Sequence, residues 1–172
     1  MSRQPTLLIT QEKIRQTVAK LAAEINRDYR DKQPLLVGIL KGSFVFMADL
    51  VRQLDLPVEL DFIKLSSYGS STRTSGKVKV VHGMKTNIKG RDVIVVEDIV
   101  DTGLTISFVM NYLCKKKPAS LKLCALFDKP SQRRIPVSID YLGFTVPDKF
   151  VVGYGIDWNE KFRHLPDLCI ID

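Results

Sequence analysis

The run Val93–Gly103 reads V-I-V-V-E-D-I-V-D-T-G. It begins as an apolar stretch suited to the middle of a sheet, then sets Glu97 and Asp98 side by side, with Asp101 three residues on. Charges cost free energy to bury unless they are paired, so three carboxylates at the end of a core strand need a chemical reason. The continuation D-T-G-L-T, Asp101–Thr105, supplies one. It joins a strand to a helix, and a helix start offers free backbone N–H groups at the positive end of the dipole, where an anion is favoured. Gly103 lets the backbone approach closely, and Thr102 and Thr105 add hydroxyl donors. A phosphate monoester suits this cradle. Glu97 and Asp98, just ahead of it, can accept hydrogen bonds from vicinal hydroxyls or bind a divalent cation. A phosphate beside two acids suggests a ribose 5-phosphate, with Asp101 between sugar and phosphate, placed for proton transfer. Singly, Glu97 and Asp98 read as strand-end surface acids and Asp101 as a helix N-cap; the run as a whole does not. The chain contains neither G-x-x-x-x-G-K-[S/T] nor G-x-G-x-x-G, which weighs against a P-loop nucleoside triphosphatase and a dinucleotide-binding dehydrogenase.

The elements that must position these residues follow from periodicity. Thr10 can cap a helix carrying Ile14, Val18, Leu21, Ala22 and Ile25 on one face. Leu35–Leu40 is a strand candidate, followed by Lys41-Gly42-Ser43 and a helical pattern from Phe44 to Leu54. Val58, Leu60 and Phe62 alternate with Glu59 and Asp61, so a strand starts there. Ser66–Gly76, S-S-Y-G-S-S-T-R-T-S-G, is polar, small and aperiodic and reads as a mobile loop. Val78–His82 alternates again, Lys89-Gly90 turns the chain, and Val93–Val96 is a buried strand. A helix is expected from Thr105 to Lys116. Leu121–Phe127 and Phe150–Val152 read as strands, with Ile139–Phe144 a weaker one. Apolar strands alternating with amphipathic helices predict a parallel sheet covered on both faces. Ligands of such sheets bind beyond the C-terminal strand ends, so Lys41–Ser43, Glu97–Thr105 and Asp128-Lys129-Pro130 are expected to converge on one edge.

The 172 residues amount to one domain, 1–172, with no repeat or linker. No apolar run reaches membrane-spanning length, and the start, MSRQPTLLITQEK, lacks the pattern of a signal peptide. Cys114, Cys124 and Cys169 lack C-x-x-C spacing and sit among apolar residues, so buried thiols in a reducing, cytoplasmic setting are expected. The net charge of +7 is compatible with a polyanionic partner. Its densest run, Lys115–Lys117, follows a helical pattern and fits the negative end of a helix dipole better than a nucleic-acid patch.

E-D-I-V-D-T-G-L-T resembles the phosphoribosyl diphosphate signature of the type I phosphoribosyltransferases. L-K-G-S (Leu40–Ser43), S-S-Y (Ser66–Tyr68), D-K-P (Asp128–Pro130) and K-F-V-V-G-Y-G-I-D (Lys149–Asp157), followed by F-R (Phe162-Arg163), are similar to the hypoxanthine-guanine branch, in its order, over roughly Leu35 to Pro166. The resemblance implies an α/β fold: a central, mostly parallel sheet flanked by helices, with a small hood from the N- and C-terminal segments. It implies transfer of the phosphoribosyl group from phosphoribosyl diphosphate to N9 of a 6-oxopurine, giving a nucleoside 5′-monophosphate and diphosphate in purine salvage.

It also implies roles. Lys41 and Gly42, the former after a cis peptide, would contact the diphosphate together with Arg163, whose fork suits phosphate. Glu97 and Asp98 would hold the ribose hydroxyls or their Mg²⁺. Asp101, Thr102, Gly103, Leu104 and Thr105 would cradle the 5′-phosphate, with Asp101 near purine N7 as general base or acid. The base would lie between Phe150 and Ile99, its 6-oxo group on Lys129 and its N1–H or 2-amino group on the Val151 carbonyl. Asp157 would flank the purine side and bind a second Mg²⁺; its plainer reading is the cap of a short helix in W-N-E-K-F-R. Ser67 and Tyr68 would belong to a lid that excludes water. His82 and His164 receive no role. The family also implies a homodimer or homotetramer, small-molecule substrates, and no nucleic-acid or membrane partner. The tail L-P-D-L-C-I-I-D departs from the branch, with Asp167 where an aromatic often follows the proline, so preference among hypoxanthine, guanine and xanthine stays open. Two rivals remain: a nucleotide-sensing RNA-binding regulator on the same fold, and a pyrimidine or adenine phosphoribosyltransferase, which is expected to lack D-K-P and F-V-V-G-Y-G-I-D.

Overall fold

The computed structural model describes residues 4–67 and 78–171, the side chain of Ser67 excepted. Thr10 caps the first helix, α1 (Gln11–Asp28), by accepting the Lys13 N–H at 3.3 Å. The helix buries Ile14, Val18, Leu21, Ala22 and Ile25, the face that the i, i+4, i+7 spacing predicts. Strands β2 (Leu35–Leu40), β3 (Glu59–Ser67), β4 (Val78–His82), β5 (Asp92–Val100), β6 (Ser120–Asp128) and β7 (Tyr141–Thr145) form a six-stranded sheet in the order β4-β3-β2-β5-β6-β7. All neighbours in it run parallel except β3 and β4.

Helices α1 and α2 (Phe44–Val51) cover one face of this sheet, against Leu36, Ile94, Val96 and Leu126. Helix α3 (Leu104–Cys114) covers the other, against Val37, Val93, Val95 and Leu123. Successive residues of β5 therefore enter opposite cores, which is why its sequence is apolar without alternation. A second sheet, in the order β1-β9-β8, joins the two ends of the chain: β1 (Thr6–Ile9) pairs with β9 (Leu168–Ile170), and β9 with β8 (Val151–Val152), both antiparallel. This is the hood, and its centre is the aberrant tail. The Asp167 carboxylate there accepts the Gln11 N–H at 2.7 Å, tying the tail to the start of α1.

Several boundaries and environments differ from expectation. Strand β5 runs on to Val100, because Ile99 pairs with Phe127 and Val100 with Asp128; Glu97 and Asp98 thus lie inside the strand. Helix α2 stops at Val51, where Gln53 and Leu54 make tighter turns onto Leu50 and Val51. Leu60, which alternates with Glu59 and Asp61 in the same phase as Val58 and Phe62, is 43% exposed: β4 pairs with β3 only from Lys64 onward, so at Leu60 β3 is itself the sheet edge. Cys124 and Cys169 are buried as expected, but Cys114 is exposed, lying on the solvent side of the last turn of α3. W-N-E-K-F-R forms no helix; Trp158 and Lys161 bridge across a turn with Asn159 at φ 50° and Glu160 at φ 60°. No helix among the described residues is long and apolar enough to cross a membrane.

Candidate active site

Strands β2, β5 and β6 are parallel neighbours, so the segments at their C-terminal ends meet. Lys41-Gly42-Ser43 leaves β2 through a cis Leu40–Lys41 peptide. The buried Ser43 hydroxyl donates to the Ile39 carbonyl at 2.7 Å and folds the turn back on its strand. Gly42 lies against the Asp98 carboxylate, and a Cβ there would collide with it. A cavity of about 160 Å³ opens between the turn and β5, lined by Gly42, Glu97, Ile99, Asp101, Thr102, Gly103 and Thr105. A larger groove of about 830 Å³ lies around Arg27, Arg30, Asp55 and Pro57 and contains none of the candidate residues. The smaller cavity sits at the strand ends, where this architecture binds ligands.

The acids occupy two environments. Glu97 and Asp98 are 6% and 8% exposed. Burial, and then the Asp98 carboxyl beside it, hold the Glu97 carboxyl well above the usual carboxylate range. A hydroxyl donor or a cation would relieve that arrangement. Asp101 is exposed, and Asp101 does not cap α3: Gly103 holds the N-cap position at φ 85°, with no side-chain capping bond. The first N–H groups of α3 are thereby left facing the Asp101–Thr105 turn, within which the Thr102 hydroxyl oxygen accepts the Leu104 N–H at 3.4 Å.

The structure explains how this turn keeps its shape. Arg133 donates from Nε to the Asp101 carbonyl at 3.0 Å and pairs with the Asp128 carboxylate. The N–H groups of Arg134 and Ile135 donate to the Thr102 carbonyl at 2.9 and 3.2 Å. Gly103 packs so closely on this strap that a Cβ would meet the Ile135 carbonyl at 2.5 Å. Lys129 is 7% exposed, and its Nζ lies 3.9 Å from Asp101 Oδ2. It is not the solvated lysine that composition favours. Phe150, in contrast, is 51% exposed, so its ring is not a core residue. Val151 is buried in β8, and Ile99 is partly buried along the cavity wall.

The hood closes over the β2 turn through glycines. Gly153 and Gly155 take φ values of 100° and 97°. A Cβ on Gly155 would strike the Gly42 carbonyl oxygen. Tyr154, between them, donates its phenol to Asp49 on α2. Arg163 donates to the Gly155 carbonyl at 2.8 Å and pairs with Asp157 at 2.7 Å. Asp157 also accepts the Glu160 N–H at 2.8 Å, so it caps a turn rather than a helix. Lys41 reaches the same turn, with its Nζ 2.9 Å from Glu160.

Among the described residues no three carboxylates, histidines or cysteines form one metal-binding cluster. Glu97 and Asp98 stand at the strand end and Asp157 at the hood. Magnesium commonly takes one or two carboxylates and completes its shell with water and phosphate oxygens, which the Glu97–Asp98 pair fits. Both Asp157 oxygens already have partners, so a cation there would share the carboxylate with Arg163. Tyr68 lies outside the described residues, and Ser67 enters only through the backbone of β3. Sequence reasoning missed Arg133, Glu160 and the Tyr154–Asp49 pair. Each acts on a partner 32 to 119 positions away, and although Tyr154 lies inside K-F-V-V-G-Y-G-I-D, that run does not point to Asp49.

Comparison with known proteins places this geometry. Residues 8–159 match the model of the phosphoribosyl transferase domain. The chain is 44% identical over 165 residues to the hypoxanthine-guanine phosphoribosyltransferase of Bacillus subtilis strain 168, covering 96% of this chain and 92% of that one. It is 44% identical over 162 residues to the hypoxanthine phosphoribosyltransferase of Escherichia coli K12, covering 93% and 91%. A crystal structure of a hypoxanthine-guanine phosphoribosyltransferase from Bacillus anthracis superposes with a TM-score of 0.92 at 44% identity, covering 99% and 98% of the two chains. The chain belongs to the phosphoribosyltransferase family, within the branch of the hypoxanthine and hypoxanthine-guanine phosphoribosyltransferases.

Proposed function

We propose that this protein transfers the 5-phosphoribosyl group of phosphoribosyl diphosphate to N9 of a 6-oxopurine, hypoxanthine or guanine with xanthine open, and releases diphosphate. The observation that carries the reading is the buried Lys129 ammonium standing 3.9 Å from Asp101, at the mouth of a turn shaped for phosphate. A 6-oxopurine presents O6 and N7 as neighbours on one edge. Lys129 donates to O6, and Asp101 handles the proton at N7. A 6-amino group would set a donor against a buried ammonium, which excludes adenine.

The remaining roles follow the same division. The α3 N-terminus and the hydroxyls of Thr102 and Thr105 hold the 5′-phosphate, and the backbone of Gly103 and Leu104 lets it approach. Glu97 and Asp98 take the ribose hydroxyls. Phe150 stacks on the base opposite Ile99, and the Val151 carbonyl accepts from its N1 side. Lys41, Gly42 and Arg163 receive the leaving diphosphate. Mg²⁺ on Glu97 and Asp98, and on Asp157, would supply charge neutralisation at the sugar and the diphosphate. Bond breaking at C1′ precedes most of bond making to N9, so the protein contributes positioning and electrostatics. A homodimer or homotetramer acting on small molecules in the cytoplasm belongs to the same proposal.

An ultraviolet assay with Mg²⁺ and phosphoribosyl diphosphate, offering hypoxanthine, guanine, xanthine, adenine and uracil one at a time, tests the reading. Turnover of 6-oxopurines alone is the expected result. Turnover of adenine or uracil at comparable rates, or of no base by folded protein, would overturn it.

A further inference from the structure

Lys41 and Arg163, the two cations of the proposed diphosphate subsite, converge on one carboxylate to which the proposed transfer reaction gives no role. Glu160 Oε2 lies 2.9 Å from Lys41 Nζ and 3.5 Å from an Arg163 terminal nitrogen. The backbone beneath it is fixed. The Asp157 carboxylate accepts the Glu160 N–H at 2.8 Å, and Trp158 and Lys161 exchange backbone hydrogen bonds at 3.1 and 3.0 Å. Glu160 sits at φ 60°, a region that glycine or asparagine occupies more readily than glutamate. The carboxylate itself is 67% exposed and Lys41 is 52% exposed. An ion pair this open is worth little and is easily given up. Its carboxyl is held below the usual range, the Lys41 hydrogen bond first among the causes.

We propose that Glu160 is a built-in competitor for the diphosphate subsite. Its carboxylate pairs Lys41 with Arg163 across the gap between the β2 turn and the hood, and it must swing away for diphosphate to take both cations. The backbone stays in place and Arg163 keeps its pair with Asp157 at 2.7 Å, so on the Glu160 side arrival and departure of the anion cost one side-chain rotation. The reading rests on the assignment of Lys41 and Arg163 to the diphosphate. Its consequence is that Glu160 weakens phosphoribosyl diphosphate and diphosphate alike and speeds release of the product.

Calorimetric titration of the wild type and Glu160→Gln with inorganic pyrophosphate plus Mg²⁺, and separately with guanosine 5′-monophosphate, tests this. Removing the charge is expected to tighten pyrophosphate about five-fold, the scale of an exposed pair, and to leave the monophosphate unchanged. The KM for phosphoribosyl diphosphate is expected to fall with it. Glu160→Gly, which also suits the backbone, is expected to move pyrophosphate the same way. Unchanged or weaker pyrophosphate binding in both variants, beside wild-type protein that binds pyrophosphate normally, would overturn the proposal. Weaker binding would make Glu160 a structural brace. Wild-type protein that binds neither ligand would remove the phosphoribosyltransferase reading itself.

Discussion

The two halves of the site are built by different means. The half proposed for sugar and phosphate, Glu97–Thr105, is an extension of the sheet: β5 carries its acids between two parallel partners, and the turn into α3 is strapped by Arg133–Ile135. The half proposed to face base and diphosphate, Phe150–Arg163, is the short strand β8 followed by a chain of turns. Left-handed backbone at Gly153, Tyr154, Gly155, Asn159, Glu160 and Phe162 shapes it, Val151, Tyr154 and Ile156 pack into the core beneath it, and side-chain links reach it from Asp49 and Lys41. A sheet-built site is pre-organised through many backbone hydrogen bonds, and no one of them is decisive. A turn-built site has few backbone ladder bonds, and its exposed side-chain links are cheap to exchange. Under the proposed assignments the common chemistry of ribose and phosphate falls on the rigid half, while base preference and product release draw on the adjustable one together with Lys129 at the end of β6. Substitutions in the first half are expected to strike kcat, and those in the second to strike affinity and selectivity.

Asp101→Asn gives the largest expected effect. The side chain keeps its size and its exposed position, so phosphoribosyl diphosphate binding is retained. General acid–base contributions are typically 10²–10⁴-fold, and a kcat loss in about that range is expected. Normal turnover in a steady-state assay would remove the proton-transfer role and leave Asp101 a phosphate-loop residue. Arg133→Met comes next. It strips the Asp101 carbonyl of its donor and leaves Asp128 without its partner. The expected cost is about 2 kcal/mol of stability and a kcat lower by about thirty-fold, because the strapped turn loosens. If urea denaturation shows the loss while kcat holds, the strap is structural only. Lys129→Ala is expected to raise the hypoxanthine KM about ten-fold, to narrow the gap between hypoxanthine and adenine, and to leave the KM for phosphoribosyl diphosphate alone. An unchanged base ranking would sink the O6 assignment.

The same contrast decides what could be read from the sequence. The β5–α3 run was legible because its parts are contiguous: apolar strand, acids, turn and helix follow one another, and their order is their geometry. The core faces of α1 and β2 were legible for the same reason. The hood was not legible from periodicity. Strands β1 and β9 are short and pair across almost the whole chain, Thr6 with Ile170, so neither carries enough pattern alone; only family resemblance implied them. Phe150 and Lys129 reversed their ordinary environments, an exposed aromatic and a buried lysine, and composition points the wrong way for both. Arg133 and Glu160 became visible only once the fold placed them beside Asp101 and Lys41.

Tyr154→Phe is the smallest of these perturbations and probes the adjustable half most cleanly. The ring stays, so packing in the hood is kept, and only the phenol–Asp49 hydrogen bond is lost. A bond to a carboxylate is worth somewhat more than a neutral one, and Tyr154 is buried, so about 1.5 kcal/mol is expected, a fall in Tm of about 4 °C for a chain of this size. Base and diphosphate KM values are expected to shift less than about three-fold, since Gly155 still packs on the Gly42 carbonyl and Glu160 still reaches Lys41. The pH dependence separates this bond from generic packing. Burial first, then the Asp49 hydrogen bond, push the Tyr154 phenol above its ordinary range. A phenol whose pKa is raised by folding contributes stability that is complete below about pH 10, the value of an unfolded tyrosine, and that is lost as pH rises beyond it. Tyr141 is pushed up in the same direction and titrates in both proteins, so it cancels in the comparison. The Tm difference between wild type and Tyr154→Phe is thus expected to be constant from neutral pH to about 9 and to close above about 10. A difference that persists undiminished at pH 11 would mean that the substitution acts through packing, and that the hood is held to α2 by shape and not by this one hydrogen bond.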